Sequence, residues 1–170
     1  DSFKQFLKEV SFASEVFLKA YKSSKSLAEA VRKYVNDLFA EYGLLILDGH
    51  DKDLKNLFKP VIKEDLFDHG PFQKATETTD KLESLGFKGQ IFPREINFFY
   101  LDKGVRERIE RLSDGGFQVV NTKISFTEEE MELLIEEYSD RFSPNVVLRP
   151  VYQEVILPNI AYLGGPAEVI

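Results

Sequence analysis

The sequence has no cysteine and no tryptophan among its 170 residues. That excludes a disulfide framework, a thiolate metal site and a cysteine nucleophile within these residues. It fits a reducing compartment, and a cytoplasmic setting is expected. Positive charge is in short supply: 22 Lys and Arg stand against 29 Asp and Glu, for a net charge of −7. A surface that follows nucleic-acid phosphates needs the opposite sign, so broad DNA or RNA binding is not expected. No apolar run approaches the roughly 20 residues of a membrane-spanning helix. No basic-then-apolar signal segment follows Asp1. Repeats, a Gly-rich phosphate loop and a Ser/His/Asp grouping are also missing. What is present is core material: 15 Phe and seven Tyr, within a hydrophobic content of 43%, suffice for one packed domain. The chain starts without Met and ends in an apolar, turn-rich stretch, where termini are usually polar. It reads as a piece of a longer protein.

Residues 1–42 read as a helical segment. Phe3, Phe6, Leu7, Val10, Phe17, Leu18 and Tyr21 recur at helical spacing and predict a helix over 2–21. Leu27, Ala30, Val31, Tyr34, Val35, Leu38, Phe39 and Tyr42 predict a second over 27–42. Ser26 and Glu29 form a capping-box pattern at its start, and Gly43 suits a left-handed stop. Lys22–Ser26 resembles the Lys- and Ser-rich loop with which class I nucleotidyl-transferase-like enzymes hold ATP phosphates. The alternative is a polar linker with Ser26 as cap, and neither His50 nor His69 supplies the histidine motif that accompanies such a loop.

Residues 43–170 read as an α/β segment with an antiparallel β region near 86–121. Leu44–Leu47 has the continuous apolar pattern of a buried, parallel strand. Asp48 at its end is a site candidate, or a turn former ahead of Gly49. Two short helices follow around Leu54–Phe58 and Val61–Leu66, the second opened by Pro60, and a third spans 71–85. Strands are predicted over Gln90–Phe92, Asn97–Leu101, Val105–Leu112 and Phe117–Val120, with Gly-containing turns between the last three. Arg106, Arg108 and Arg111, beside Glu107 and Glu110, form a solvated face or an anion site. Thr127 and Glu130 cap a helix over 128–141, whose Glu128–Glu130 and Glu132 suit the helix dipole better than a metal. No metal is expected.

From Arg141 to Glu168 the character changes. Pro144, Pro150, Pro158 and Pro166 are spaced among polar residues that a plain core strand would avoid. Arg149, Gln153, Glu154 and Asn159 are donors and acceptors suited to a polar small molecule, while Gly164 and Gly165 allow close backbone approach. The alternative is a kinked segment whose polar groups satisfy one another.

The word from Ser143 to Glu168 closely resembles the bacillithiol biosynthesis cysteine-adding enzyme family. Leu27–Ala30, Leu38–Asp48, Asp53–Phe58 and Asn97–Tyr100 support it, so the resemblance covers most of the chain. Ala167 departs from the family's Gly in the word that ends this stretch. The resemblance implies a Rossmann-like, nucleotidyl-transferase-type core segment, with N-terminal helices and a small antiparallel β insertion. It implies a longer parent enzyme with a C-terminal coiled coil, forming a homodimer, that joins cysteine to the amino group of glucosaminyl malate. Amide formation needs an activated carboxyl; ATP is the implied driver in the parent, with no cofactor held in this segment. Within that frame Arg149, Tyr152, Gln153, Asn159, Gly164 and Gly165 are expected to bind substrate, with Glu154 as the catalytic residue, orienting an amine or acting as base. The competing roles are a non-catalytic connecting or scaffold module, and an independent small-molecule binding domain.

Overall fold

Helical periodicity near the N-terminus becomes three helices in the computed structural model, which describes residues 2–9, 14–89, 91–161 and 163–165. Helix α1 spans Ser2–Glu9, α2 Glu15–Ser23 and α3 Leu27–Phe39. The single helix predicted over 2–21 is thus two: Ser14 accepts a hydrogen bond from Phe17 N (3.3 Å) and starts α2 afresh. Residues 10–13 lie outside the described ones. Phe17 stacks on Tyr21 and meets Tyr34 of α3 edge-on, at centroid distances of 4.2 and 5.5 Å, while buried Ala20 and Ala30 let the two helices approach. Ser26 caps α3 as predicted, accepting from Glu29 N at 3.2 Å. The return arm differs: the Glu29 carboxylate accepts from Lys25 N, not from Ser26 N. A 3₁₀ turn, Ala40–Tyr42, prolongs α3 to Gly43, whose φ of 79° is the left-handed stop.

The strand predicted over Leu44–Leu47 does not form. These residues have no regular structure, and Leu45 is 64% exposed. A parallel strand exists only with backbone partners on a neighbouring strand. Within the first of the chain's two units, Asp1–Asp51, the described residues include no other strand. Asp48 is used by its turn, accepting from His50 N at 2.9 Å.

The second unit, Lys52–Ile170, holds the sheet and the main core. Helices α4 (Lys52–Leu57) and α5 (Lys59–Lys63) lead into a π-helical turn, Glu64–Asp68, and α6 (Gly70–Ser84) follows. Phe58, Ile62 and Leu66, four residues apart, are fully buried as one stripe. Strands β1 (Phe98–Asp102), β2 (Val105–Arg111), β3 (Phe117–Val119) and β4 (Ser125–Phe126) make antiparallel hairpins, and β5 (Phe142–Pro144) adds to the far side of β1. The order is β4-β3-β2-β1-β5, so the antiparallel region extends beyond 86–121. Ile91 and Phe92 form no strand, and Gln90 lies outside the described residues. Helix α7 (Glu128–Glu137) carries the full Thr127–Glu130 capping box but stops short of 141, giving way to a 3₁₀ turn at Ser139–Arg141. Helix α8 (Arg149–Ile156) occupies the stretch read as kinked, because Pro150 falls in the first turn, where its missing N–H costs nothing. Phe98, Tyr100, Ile109, Phe117 and Val119 meet Met131, Ile135, Leu148 and Tyr152 in one core.

A polar chain runs through this core. Fully buried Asp65, in the π-helical turn, accepts from Asn97 N (2.6 Å) and Asn97 Nδ2 (3.0 Å). Burial raises its carboxyl pKa to about 6, although the Asn97 hydrogen bonds pull downward. Unfolded, Asp65 ionises near the ordinary 3.8, so between about pH 4 and 6 the folded state holds the extra proton. Stability should therefore fall as pH rises through that window. Relative to Asp65→Asn, which does not titrate, the wild type is expected to lose about 3 kcal/mol across it and to level off above pH 7. Urea denaturation at stepped pH reads the difference directly; a constant difference across the window refutes the assignment.

Candidate functional site

The segment richest in expected site residues is held by Asn145. Its Oδ1 accepts from Val147 N (2.8 Å) and Leu148 N (3.3 Å), closing the turn into α8, and its Nδ2 donates to Asn97 Oδ1 at 2.9 Å. One asparagine thus ties the start of α8 to the start of β1. Further along, Tyr152 turns inward, with its ring centroid 4.9 Å from that of Phe58. The Lys55 ammonium lies 5.2 Å above the Tyr152 ring and donates to Phe142 O at 2.5 Å. Lys55 is almost wholly buried, and burial lowers its pKa to about 8 against the upward pull of Asp140.

The structure separates the expected site residues into three groups. Tyr152 belongs to the core. Glu154 and Asn159 come together: Asn159 Nδ2 donates to Glu154 Oε2 at 2.8 Å, and Asn159 N to Oε1 at 3.3 Å. Arg149 is exposed at the first position of α8, and half-buried Gln153 follows one turn on along its side. Five residues along a helix, Arg149 and Glu154 project about 140° apart. Gly164 is half-buried and Gly165 exposed; a Cβ on Gly165 would meet nothing within 4 Å. Leu163 beside them is 98% exposed.

A cleft of about 480 Å³ runs along α8 on the side of Pro150 and Val151, with Val61, Leu82 and Ile91 opposite. Its rim carries the Lys74–Glu64 ion pair (2.8 Å), Thr78 and Thr79. None of the expected site residues is among those lining it; Glu154 comes one turn after Pro150 and Val151, beyond the lined stretch of α8. Volume and lining, apolar with a few convergent polar groups, are those of a small-molecule site.

The other candidates have structural roles. Ser24 Oγ donates to Ala20 O (2.7 Å) and Ser26 caps α3, so Lys22 and Ser23 end α2 and Ser24–Ser26 joins it to α3. Arg111 pairs with Glu128 (2.6 Å) and stacks over Phe117, while Arg106 covers Phe99. Among the described residues no group of three His, Asp or Glu could hold a metal ion, and no helix is long and apolar enough to cross a membrane. Reading the sequence alone passed over Lys55, Asp65, Asn97 and Asn145. Asn97 and Asn145 each precede an apolar run, but Asn56 follows Lys55, and Lys63 and Glu64 precede Asp65, so the local pattern does not mark those two for burial.

The geometry is that of an α/β domain with a cleft bordered by carboxylate, ammonium and hydroxyl groups. All of it, residues 1–170, matches the family model described as bacillithiol biosynthesis BshC, N-terminal Rossmann-like domain. The chain belongs to that family. Among relatives provisionally named cysteine ligase BshC, that of Cytophaga hutchinsonii is 45% identical over 150 residues, covering 88% of this chain and 28% of the relative. The Christiangramia forsetii protein is 45% identical over 159 residues, covering 93% and 29%. That of Chlorobaculum tepidum is 31% identical over 159 residues, covering 92% and 28%. The chain therefore spans less than a third of the length of these curated relatives.

Asn145→Ala should cost about 1–3 kcal/mol, because it removes the turn's acceptor and a donor to buried Asn97. Asn145→Asp keeps the acceptor but loses the donor, and should recover only part of that cost. Denaturation midpoints of the three proteins check the order.

Proposed function

We propose that this chain is part of a ligase that joins cysteine to the amino group of glucosaminyl malate, completing bacillithiol. The observation that carries the proposal is the family match over the whole chain, together with relatives provisionally named as cysteine ligases. The parent is proposed to build a nucleotidyl-transferase-type core and to work in the cytoplasm, where a thiol product stays reduced. In the coupling step the substrate nitrogen attacks the activated carboxyl carbon of cysteine, the bond from that carbon to the activating group breaks and the group departs with its electron pair, and the nitrogen loses a proton. ATP is the proposed source of activation in the parent, and no residue of this chain is assigned to it.

The α8 cleft is the proposed location of substrate contacts within this segment. Glu154 takes the nitrogen's proton, with Asn159 holding the carboxylate in place by two hydrogen bonds. Arg149 and Gln153 hold a substrate carboxylate and hydroxyl on the adjoining side of the helix. Gly164 and Gly165 offer backbone N–H groups, and Tyr152 positions the helix from beneath. A scaffold role is the second reading, favoured by the burial of Tyr152 and by the Glu154–Asn159 pairing.

In the full-length parent, Arg149→Ala and Glu154→Gln should each lower turnover at least tenfold with the melting temperature nearly unchanged, since both side chains are exposed. A melting temperature that falls first, with turnover preserved in the surviving fold, identifies braces instead of site residues. The isolated 170-residue chain is expected to form no bacillithiol. Product formation by this chain alone, followed by mass spectrometry, overturns that expectation.

A further inference from the structure

We propose a second small-molecule site in this chain, for a ligand carrying a carboxylate and an amine close together, the form of a free α-amino acid. The pairing of β1 with β2 runs from Asp102↔Val105 to Phe99↔Arg108 and ends there. β2 continues to Arg111, paired only with β3 on its other side. Between this stretch of β2 and the segment leading into β1 lies a pocket of about 370 Å³, closed by Phe72 of α6. Buried Ile96 and Ile109 give it an apolar floor.

Five charged residues line the pocket, but they are not equivalent. Arg111 is committed to Glu128 at 2.6 Å, and Arg108 lies at a loose 3.8 Å from Glu110. The side chains of Arg94 and Glu95 have no hydrogen-bond or ion-pair partner among the described residues, yet their backbone is fixed. Arg94 N donates to Asn97 Oδ1 (3.3 Å), Asn97 Nδ2 donates to Arg94 O (2.7 Å), and His69 Nδ1 contacts Glu95 O at 3.0 Å. One unspent cation and one unspent anion, on adjacent anchored residues over an apolar floor, complement a small zwitterion. The Arg94 fork takes the carboxylate, supported by Arg108, and Glu95 takes the ammonium. Holding the backbone in advance reduces the ordering cost of binding. The volume is at the small end for ligand sites, which suits an amino acid better than a nucleotide. Pro93 lines both this pocket and the α8 cleft, so the two sites share a wall.

The test is ¹H–¹⁵N NMR of the 170-residue chain titrated with L-cysteine, L-alanine and succinate. Both amino acids should cause saturable shifts at residues 94–96 and 108–111. Arg94→Ala and Glu95→Gln, both at exposed side chains, should each weaken binding at least tenfold, while Arg149→Ala leaves those shifts in place. The site is refuted if neither amino acid gives saturable shifts there, or if shifts appear only along α8. The zwitterion assignment is refuted if succinate binds as tightly and Glu95→Gln has no effect. None of these outcomes bears on whether Glu154 is a catalytic base, which the parent's turnover decides.

Discussion

Asn97 is the residue on which the second unit depends. Every polar group it has is used: both amide hydrogens and its backbone N–H are donated, and its two oxygens accept from Arg94 and Asn145. Through it the π-helical turn, the approach to β1 and the entry to α8 are fixed in mutual register. The Asn145 N to Asn97 O bond (2.9 Å) extends the β1–β5 ladder by one step beyond Phe98↔Pro144. A buried polar network is costly when any member lacks a partner, and specific when all are satisfied. This one is satisfied, so hydrophobic collapse alone does not determine where α8 goes.

The π-helical turn is what brings Asp65 to that network. A regular helix through residues 59–84 would keep the Phe58, Ile62, Leu66 stripe inward, but the wider turn lets Asp65 and Leu66 be buried side by side. The turn ends at His69, one of two described non-glycine residues with positive φ (54°), and its ring contacts Glu95 O. Two anchors, His69 and Asn97, therefore hold the stretch that carries Arg94 and Glu95.

Local rules made much of this legible. Ser26 and Thr127 were readable as caps because capping needs only neighbours three residues away. The β1–β2 hairpin was readable because Lys103 and Gly104 close it, with Gly104 at φ 74°. The Leu44–Leu47 reading failed for the complementary reason. An apolar run reports a preference for burial, whereas a strand also needs a partner, and none is present among the described residues of its unit. Helix α8 was missed because prolines suggested kinks; Pro150 instead occupies a helix position that tolerates it. The Asp65–Asn97–Asn145 chain spans 32 and 48 residues of sequence, so no periodicity could reveal it. Among the expected site residues, the Glu154–Asn159 pairing was within local reach, and the inward turn of Tyr152 was not.

The two faces of α8 divide the work of the proposed site. On the inner face, the Tyr152 ring meets both Phe58 and the Lys55 ammonium, and Lys55 is itself held by the carbonyl of Phe142 on β5. A ring held by two contacts limits rotation of the helix about its axis, and a charge buried over an aromatic face interacts more strongly than one in water. That rotation sets which residues reach the cleft. If it is fixed, Pro150 and Val151 line the cleft, and Glu154 one turn on is already oriented by Asn159. Catalytic groups gain most from being held in place before the substrate arrives, because the ordering cost has been met during folding. A buried lysine whose pKa burial lowers to about 8 destabilises the fold at neutral pH, and its placement over the Tyr152 ring makes sense as the cost of that orientation.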